Sequence, residues 1–223
     1  TRVPGWAVTA MRLEYREEDN KDDKGNEKAW EGLPHKFGRL PGVVENVREI
    51  ARNLQGGVFR LPDNLTRFEA DAESSFDVTI DDRCKEILLG DWFEEEEADR
   101  VLNPHHVVFT LQDTVAKAWL QFTIEKGTGY RSALDIERSA KRNGQKEAGA
   151  EPLGKSHALP WLYLDADFNP VTRVGFRLES EGSQRKLIYT IGTRPNRTSK
   201  EAFKIALASF AAMPASIQGE TAP

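Results

Sequence analysis

Residues Trp161–Met213 read WLYLDADFNPVTRVGFRLESEGSQRKLIYTIGTRPNRTSKEAFKIALASFAAM. Within them Thr172, Val174, Phe176 and Leu178 alternate with Arg173, Gly175, Arg177 and Glu179. A period of two puts one face on a core and the other in water, so the run predicts a half-buried strand. Leu162-Tyr163-Leu164-Asp165 leads into it through a turn at Asn169-Pro170. A polar link, Ser180–Lys186, precedes a second strand, Leu187–Thr193. After the loop Arg194-Pro195-Asn196-Arg197, Thr198 and Glu201 stand at capping-box spacing, which predicts a helix start. Phe203, Leu207, Phe210 and Met213 recur at helical spacing until Pro214 stops the run. The module is α+β, and it carries no nucleophile motif, metal cage or phosphate loop.

Working outward, 223 residues accommodate one large domain or two small ones. With 39% apolar and 30% charged residues, the chain has a modest core and much solvated surface. A net charge of −5 lacks the basic footprint that non-specific nucleic-acid binding needs. No apolar run approaches the roughly 18–20 residues of a membrane span. The single cysteine, Cys84, excludes an internal disulfide framework and favours a reducing compartment. A start at Thr1 predicts that an N-terminal piece, with any targeting signal, was removed or is encoded elsewhere.

Toward the N-terminus, Pro4-Gly5 signals a turn and Ala7–Tyr15 a strand, with Met11, Leu13 and Tyr15 on one side. Arg16–Lys28 is nearly all charge and reads as a flexible surface insertion. After Pro41-Gly42, the residues Val43, Val44, Val47, Ile50, Ala51 and Leu54 form a helical stripe opposite Glu45, Asn46, Arg48, Glu49 and Arg52. Gln55-Gly56-Gly57 is expected to end this helix through a left-handed glycine cap. Phe76, Val78 and Ile80 alternate as a strand, Ile87-Leu88-Leu89 is a short apolar run, and Glu94–Glu97 is an acidic loop. Asn103-Pro104 turns the chain into a strand at Val107–Leu111. Past Gln112-Asp113, Ala118, Leu120, Phe122 and Ile124 oppose Trp119, Gln121, Thr123 and Glu125 until Gly127-Thr128-Gly129-Tyr130 closes the strand. Residues 137–157 are polar and read as a long mobile loop.

Few motifs carry chemistry. Asp165 and Asp167 form a D-x-D, a spacing used for Mg²⁺ by some transferases, but also ordinary turn chemistry before Asn-Pro. His105 and His106, adjacent before a strand, would point to opposite faces, a poor geometry for one shared metal. His35 and His157 have no local partner, and the basic run of Arg138, Lys141, Arg142 and Lys146 contains no aromatic residue to stack a base. No catalytic, cofactor-binding or metal-binding residue is therefore assigned.

Several ordered blocks resemble the N-terminal domain of the alpha subunit of bacterial-type, multisubunit DNA-directed RNA polymerase. Val3-Pro4-Gly5-Trp6-Ala7-Val8-Thr9 looks like that family's P-G-x-A-V-T entry to an inserted subdomain. His35-Lys36-Phe37, Gly42-Val43, Glu45, Glu49-Ile50, Asn53-Leu54 and Gly56 are similar to its H-E-[FY]…G-V-x-E…E-I…N-L-K-G helix. Asn103-Pro104-His105-His106-Val107 and Gly127-Thr128-Gly129-Tyr130 match its N-P-x-H-V and G-x-G-Y segments. Asp165 through Phe168-Asn169-Pro170-Val171, Val174 and Glu179 follow its D-x-x-[FY]-S-P-V strand. Thr198-Ser199-Lys200-Glu201-Ala202 stands at the head of its dimerisation helix.

The resemblance implies an α+β alpha-subunit fold. Residues 5–170 would be the inserted β-rich subdomain, with a charged insertion at 16–33. Residues 171–213 would be the C-terminal part of the dimerisation subdomain, and 214–223 a tail. It further implies an assembly scaffold with no cofactor of its own, the Mg²⁺ belonging to the catalytic subunit. The implied partners are a second alpha-type subunit and the beta and beta-prime subunits, with DNA met only through the complex and no membrane. Arg48, Glu49, Arg52, Gln55, Gly56, Arg173 and Arg177 become docking residues, and Phe203, Leu207 and Phe210 become dimer-interface residues. The family's first strand and its T-L-G-N-x-L-R-R helix are expected upstream of Thr1, Gln55 replaces the usual lysine, and the segment between Phe59 and Ile80 is not recognisable. Such drift points to a plastid polymerase, with a bacterial cytoplasmic one as the alternative, and the missing first part points to a split subunit whose other half is a separate polypeptide. Two rival readings are a D-x-D transferase and a stand-alone α+β interaction module.

Overall fold

The computed structural model describes residues 3–17, 31–32, 38–40, 42–74, 85–112, 116–142, 161–181 and 184–212. Its centre is an antiparallel pair, β1 (Gly5–Glu17) and β6 (Ala116–Gly127), in register from Gly5↔Gly127 to Glu17↔Ala116 with an irregularity between Val8 and Ala10. β3 (Arg67–Ser74) pairs with the other side of β6, while β2 (Glu31–Gly32) and β8 (Leu162–Tyr163) pair with β1. Pro4-Gly5 is thus the start of a strand and not a turn, and the two ends of the charged insertion, at β1 and β2, are paired strand.

Alternation on β6 does not separate core from water as expected. Leu120, Phe122 and Ile124 are buried, but so are Gln121 and Thr123. Gln121 is accommodated because its side-chain oxygen accepts from Arg12 Nε at 2.7 Å, and the Arg12 guanidinium lies over the Trp161 ring. A buried polar side chain such as Gln121 is tolerated when it finds such partners, whereas the buried Thr123 hydroxyl has none among the described residues.

Helix α1 (Val47–Gln55) begins four residues later than the apolar stripe suggests. Asn46 starts it: its side chain accepts from Glu49 N at 3.1 Å, and the Glu49 carboxylate accepts from Asn46 N at 2.9 Å. Val43 instead bridges to Leu111, and Glu45 accepts from both the amide and the hydroxyl of Thr110. Val47, Ile50, Ala51 and Leu54 fill the core beneath α1, whereas Val44 is exposed. Gly56 at the end of the helix has φ −73°, so the expected left-handed cap does not form.

The core under α1 is closed by the hairpin of β4 (Lys85–Leu88) and β5 (Val107–Leu111), with short 3₁₀ turns at Leu89–Trp92 and Glu95–Arg100 between them. Glu94–Glu97 therefore runs into a helical turn where a loop was expected. Phe59, Ile87, Leu89, Phe109 and Phe122 are almost fully buried there. Next come β7 (Tyr130–Arg131), α2 (Ala133–Arg142) and β9 (Ala166–Asp167), with β7 paired to β9. Residues 133–142, partly assigned to a mobile loop by composition, are helical; α2 escapes notice because only Ile136 on it is buried, against Ala166 and Phe168.

The decisive C-terminal stretch forms β10 (Val171–Glu181), β11 (Gln184–Thr193) and α3 (Ser199–Ala211). Both strands reach further than their apolar alternation, pairing as far as Glu181↔Gln184 where a polar link was expected. The capping box of α3 is present as read, with Glu201 N donating to Thr198 Oγ1 and Thr198 N to the Glu201 carboxylate. The Phe76–Ile80 run, Cys84, His35, His157, residues 143–157 and the Met213-Pro214 end lie outside the described residues. No described helix is long and apolar enough to cross a membrane.

Candidate functional site

Two surfaces carry the expected functional residues, and they are built differently. The first is the outer side of α1. Its inner side is committed to the core, so Arg48, Arg52 and Gln55 are left on the exposed side. Glu49 is exposed too, but its carboxylate is engaged by the Asn46 amide. Gln55 Nε2 donates to the Asp165 carbonyl at 2.5 Å and ties the end of α1 to the segment before β9.

The end of α1 is fixed by polar groups that composition did not single out. Asn53 Nδ2 donates to the Val108 carbonyl at 3.0 Å, and His106 Nε2 stands 2.7 Å from the Asn53 carbonyl. Asn103 donates to the Gly56 carbonyl at 3.1 Å and accepts from Val58 N at 2.8 Å. The Asn103 contact gives the Gly56 carbonyl at the helix end a partner from outside the helix. The Asn103-Pro104-His105-His106 segment thereby gains a structural account: two of its side chains lock α1 in place. Gly56 is small because a Cβ there would meet His106 Nε2 at 2.7 Å.

The two aspartates of the D-x-D do different local work. Asp165 Oδ1 accepts from Ala133 N at 2.7 Å at the start of α2. Desolvation and the neighbouring Asp165 carboxylate push the Tyr130 phenol above its ordinary value. Asp167 pairs with Arg194 at 2.9 Å and accepts from Asn169 N at 3.0 Å, the Asx turn that Asn-Pro chemistry predicts. Among the described residues no group of three or more His, Cys, Asp or Glu side chains is placed to hold a metal.

The second surface is the β10–β11 ribbon with α3. Register places Val174 opposite Ile191, Phe176 opposite Tyr189 and Leu178 opposite Leu187, so six apolar residues share one face. Tyr189 and Phe203 pack with ring centroids 6.3 Å apart, which sets α3 on that same face. Much of it is nevertheless bare: Val174 is 59% exposed, Phe176 77% and Leu178 61%. Phe203, Leu207 and Phe210 on α3 are exposed as well. The expectation of a strand half-buried on the chain's own core is therefore corrected; the alternation is real, but its apolar side meets α3 at Tyr189 and leaves Val174, Phe176 and Leu178 exposed. Arg173 and Arg177 project from the opposite face, with Arg177 paired to Glu179 at 2.9 Å.

A two-stranded ribbon alone is marginal in water, and a contiguous exposed apolar face marks an interaction surface.

The chain is 28% identical over 217 residues, 93% of its length, to the DNA-directed RNA polymerase subunit alpha of Flavobacterium psychrophilum. It is 28% identical over 177 residues, 79% of its length, to the DNA-directed RNA polymerase subunit alpha of Onion yellows phytoplasma. No protein-family model matches the chain. The resemblance read from the ordered motifs is thus shown, and the mixed α+β architecture of small antiparallel sheets agrees with it. The chain spans about half the length of these curated relatives, 54% and 47%.

Proposed function

We propose that this chain is a non-catalytic assembly subunit of a DNA-directed RNA polymerase. It pairs with a second alpha-type subunit through the apolar face of β10, β11 and α3, with Phe203, Leu207 and Phe210 at the contact. The beta and beta-prime subunits dock on Arg48, Arg52, Gln55 and Gly56 and on the Arg173–Arg177 side of the ribbon. Glu49 contributes by holding the start of α1. The boundaries of the reading are a β-rich subdomain at 5–170 and a dimerisation part at 171–213. Chemistry and its Mg²⁺ belong to the large partners.

The observation that carries this reading is the bare apolar face, since 77% exposure of Phe176 in a strand that also bears Val174 and Leu178 calls for a covering partner. The transferase alternative is not favoured, because Asp165 and Asp167 are both accounted for by helix-start and turn hydrogen bonds. The drift of the family motifs supports a plastid host complex, while both named relatives are bacterial; fractionation of the tagged chain in its own cell decides between them. The functional test is mild affinity purification followed by mass spectrometry. Co-elution of two large polypeptides with nucleotide-incorporating activity is the expected result. A chain recovered alone, folded and monomeric, would leave a shared fold without a shared role.

A further inference from the structure

We propose that the cleft between α1 and the β8–β9 segment seats an acidic stretch of a partner polypeptide: one carboxylate held between Arg48 and Arg52, and an adjacent apolar side chain inserted beside them. The inference rests on the scaffold reading and supplies the chemistry of one of its docking contacts.

Arg48 and Arg52 are four residues apart on α1, hence neighbours on one face, and both line a cleft of about 460 Å³. Among the described residues neither guanidinium has an ion-pair or hydrogen-bond partner. Among the described residues, the carboxylates beside them on α1 and at the cleft wall are hydrogen-bonded elsewhere. Glu45 serves Thr110, Glu49 serves the Asn46 amide, and Asp165 at the far wall serves the Ala133 amide. Two like charges at this spacing repel each other, and a bridging carboxylate removes that cost. The planar guanidinium fork matches a carboxylate in two parallel hydrogen bonds.

The rest of the cleft specifies what travels with the carboxylate. Ala51, Leu162 and Leu164 give it an apolar lining, and a volume of about 460 Å³ takes a large aliphatic or aromatic side chain. Its two walls are tied together by the Gln55 side chain, which donates to the Asp165 carbonyl across it. An apolar floor under two arginines suits a peptide bearing both groups better than a phosphate backbone, which offers the floor nothing to bury.

The test uses the tagged full chain captured from its native cell with whatever co-elutes. The Arg48→Gln/Arg52→Gln double variant is expected to lower the large polypeptides recovered at 0.15 M salt about tenfold, with an unchanged circular dichroism spectrum. Arg48→Lys and Arg52→Lys keep the charge and supply an amine for zero-length carbodiimide coupling. The lysine introduced by one or both should join an Asp or Glu of a large polypeptide, flanked by a bulky apolar residue. Capture that is indifferent to the Gln double variant, or lysine variants that retain the complex without such a crosslink, would overturn the proposal while leaving the scaffold reading intact. Capture abolished by nuclease would overturn it in favour of a phosphate backbone. A wild-type eluate with no large polypeptides would instead sink the scaffold reading, and this inference with it.

Discussion

His106 Nε2 lies 2.7 Å from the carbonyl oxygen of Asn53, so an imidazole on the approach to β5 closes the last turn of α1. A carbonyl can only accept, so Nε2 is the protonated nitrogen in this contact. His106→Ala removes one of two donors to the Asn53 carbonyl, the Gly56 amide at 2.9 Å being the other, and should cost about 0.5–1.5 kcal/mol in urea unfolding. The same ring stands where a Cβ on Gly56 would go. Gly56→Ala should therefore be destabilising alone and less so in the His106→Ala background. A double-mutant cycle that shows strict additivity would contradict this packing.

Three sequence motifs far apart in the chain meet around Phe168. A Cβ at Gly5 would lie 2.1 Å from the Phe168 carbonyl oxygen, and one at Gly127 would lie 2.9 Å from its ring. Gly5 and Gly127 are also cross-strand partners. Because the Phe168 carbonyl is backbone, it has no rotamer by which to escape. Gly5→Ala should thus destabilise by more than about 3 kcal/mol or prevent folding, whereas Gly175→Ala, where nothing lies within 4 Å, should be mild. Equal thermal midpoints for the two variants would contradict the account.

The sequence was most legible where one physical rule acts locally. Thr198 and Glu201 announce their capping box by spacing alone, and it is present. The start of α1 was equally readable from Asn46 and Glu49, but the apolar run Val43-Val44 drew the boundary too early. What could not be read is what side chains do across long separations. Gly56 looked like a left-handed cap, and its smallness is instead dictated by His106, 50 positions away in a different element. Gln121 reads as solvent-facing because alternation reports polarity and is blind to a partner such as Arg12. The docking and interface residues came from the family resemblance, and the structure adds that Phe176 and Tyr189 belong to the same bare face.

Glu201 gives the fold a measurable pH response. Its carboxyl is held below the usual 4.5 by the backbone amide of Thr198 first, with the Thr198 side chain adding to it. A folded value lower than the unfolded one means the contribution is fully present above about pH 4.5 and is lost as pH falls through the lowered value. Amide exchange in the first turn of α3 should rise over that acid window, and Glu201→Gln should flatten the dependence. Asp63, lowered chiefly by its hydrogen bond to Lys126, titrates with the same sign, so the comparison must be residue-resolved. Exchange in this turn that is as steep in Glu201→Gln as in wild type would show that the cap is not its cause.

The bare face also makes a prediction separable from stability. Phe176 is 77% exposed and Leu207 51% exposed, so neither contributes much to the fold of the chain itself. Phe176→Asp and Leu207→Asp should leave the unfolding free energy of a monomer within about 0.5 kcal/mol of wild type, the usual range for surface changes. A partner that covers this face would meet a buried charge, whose desolvation without a counter-ion is costly. Both variants should therefore abolish pairing with the second alpha-type subunit in sedimentation or size-exclusion experiments. The control is Arg177→Asp on the opposite side of the ribbon, which should leave pairing unchanged. Loss of pairing in the control but not in Phe176→Asp would move the interface to the polar side of the hairpin and reverse the assignment of its two faces.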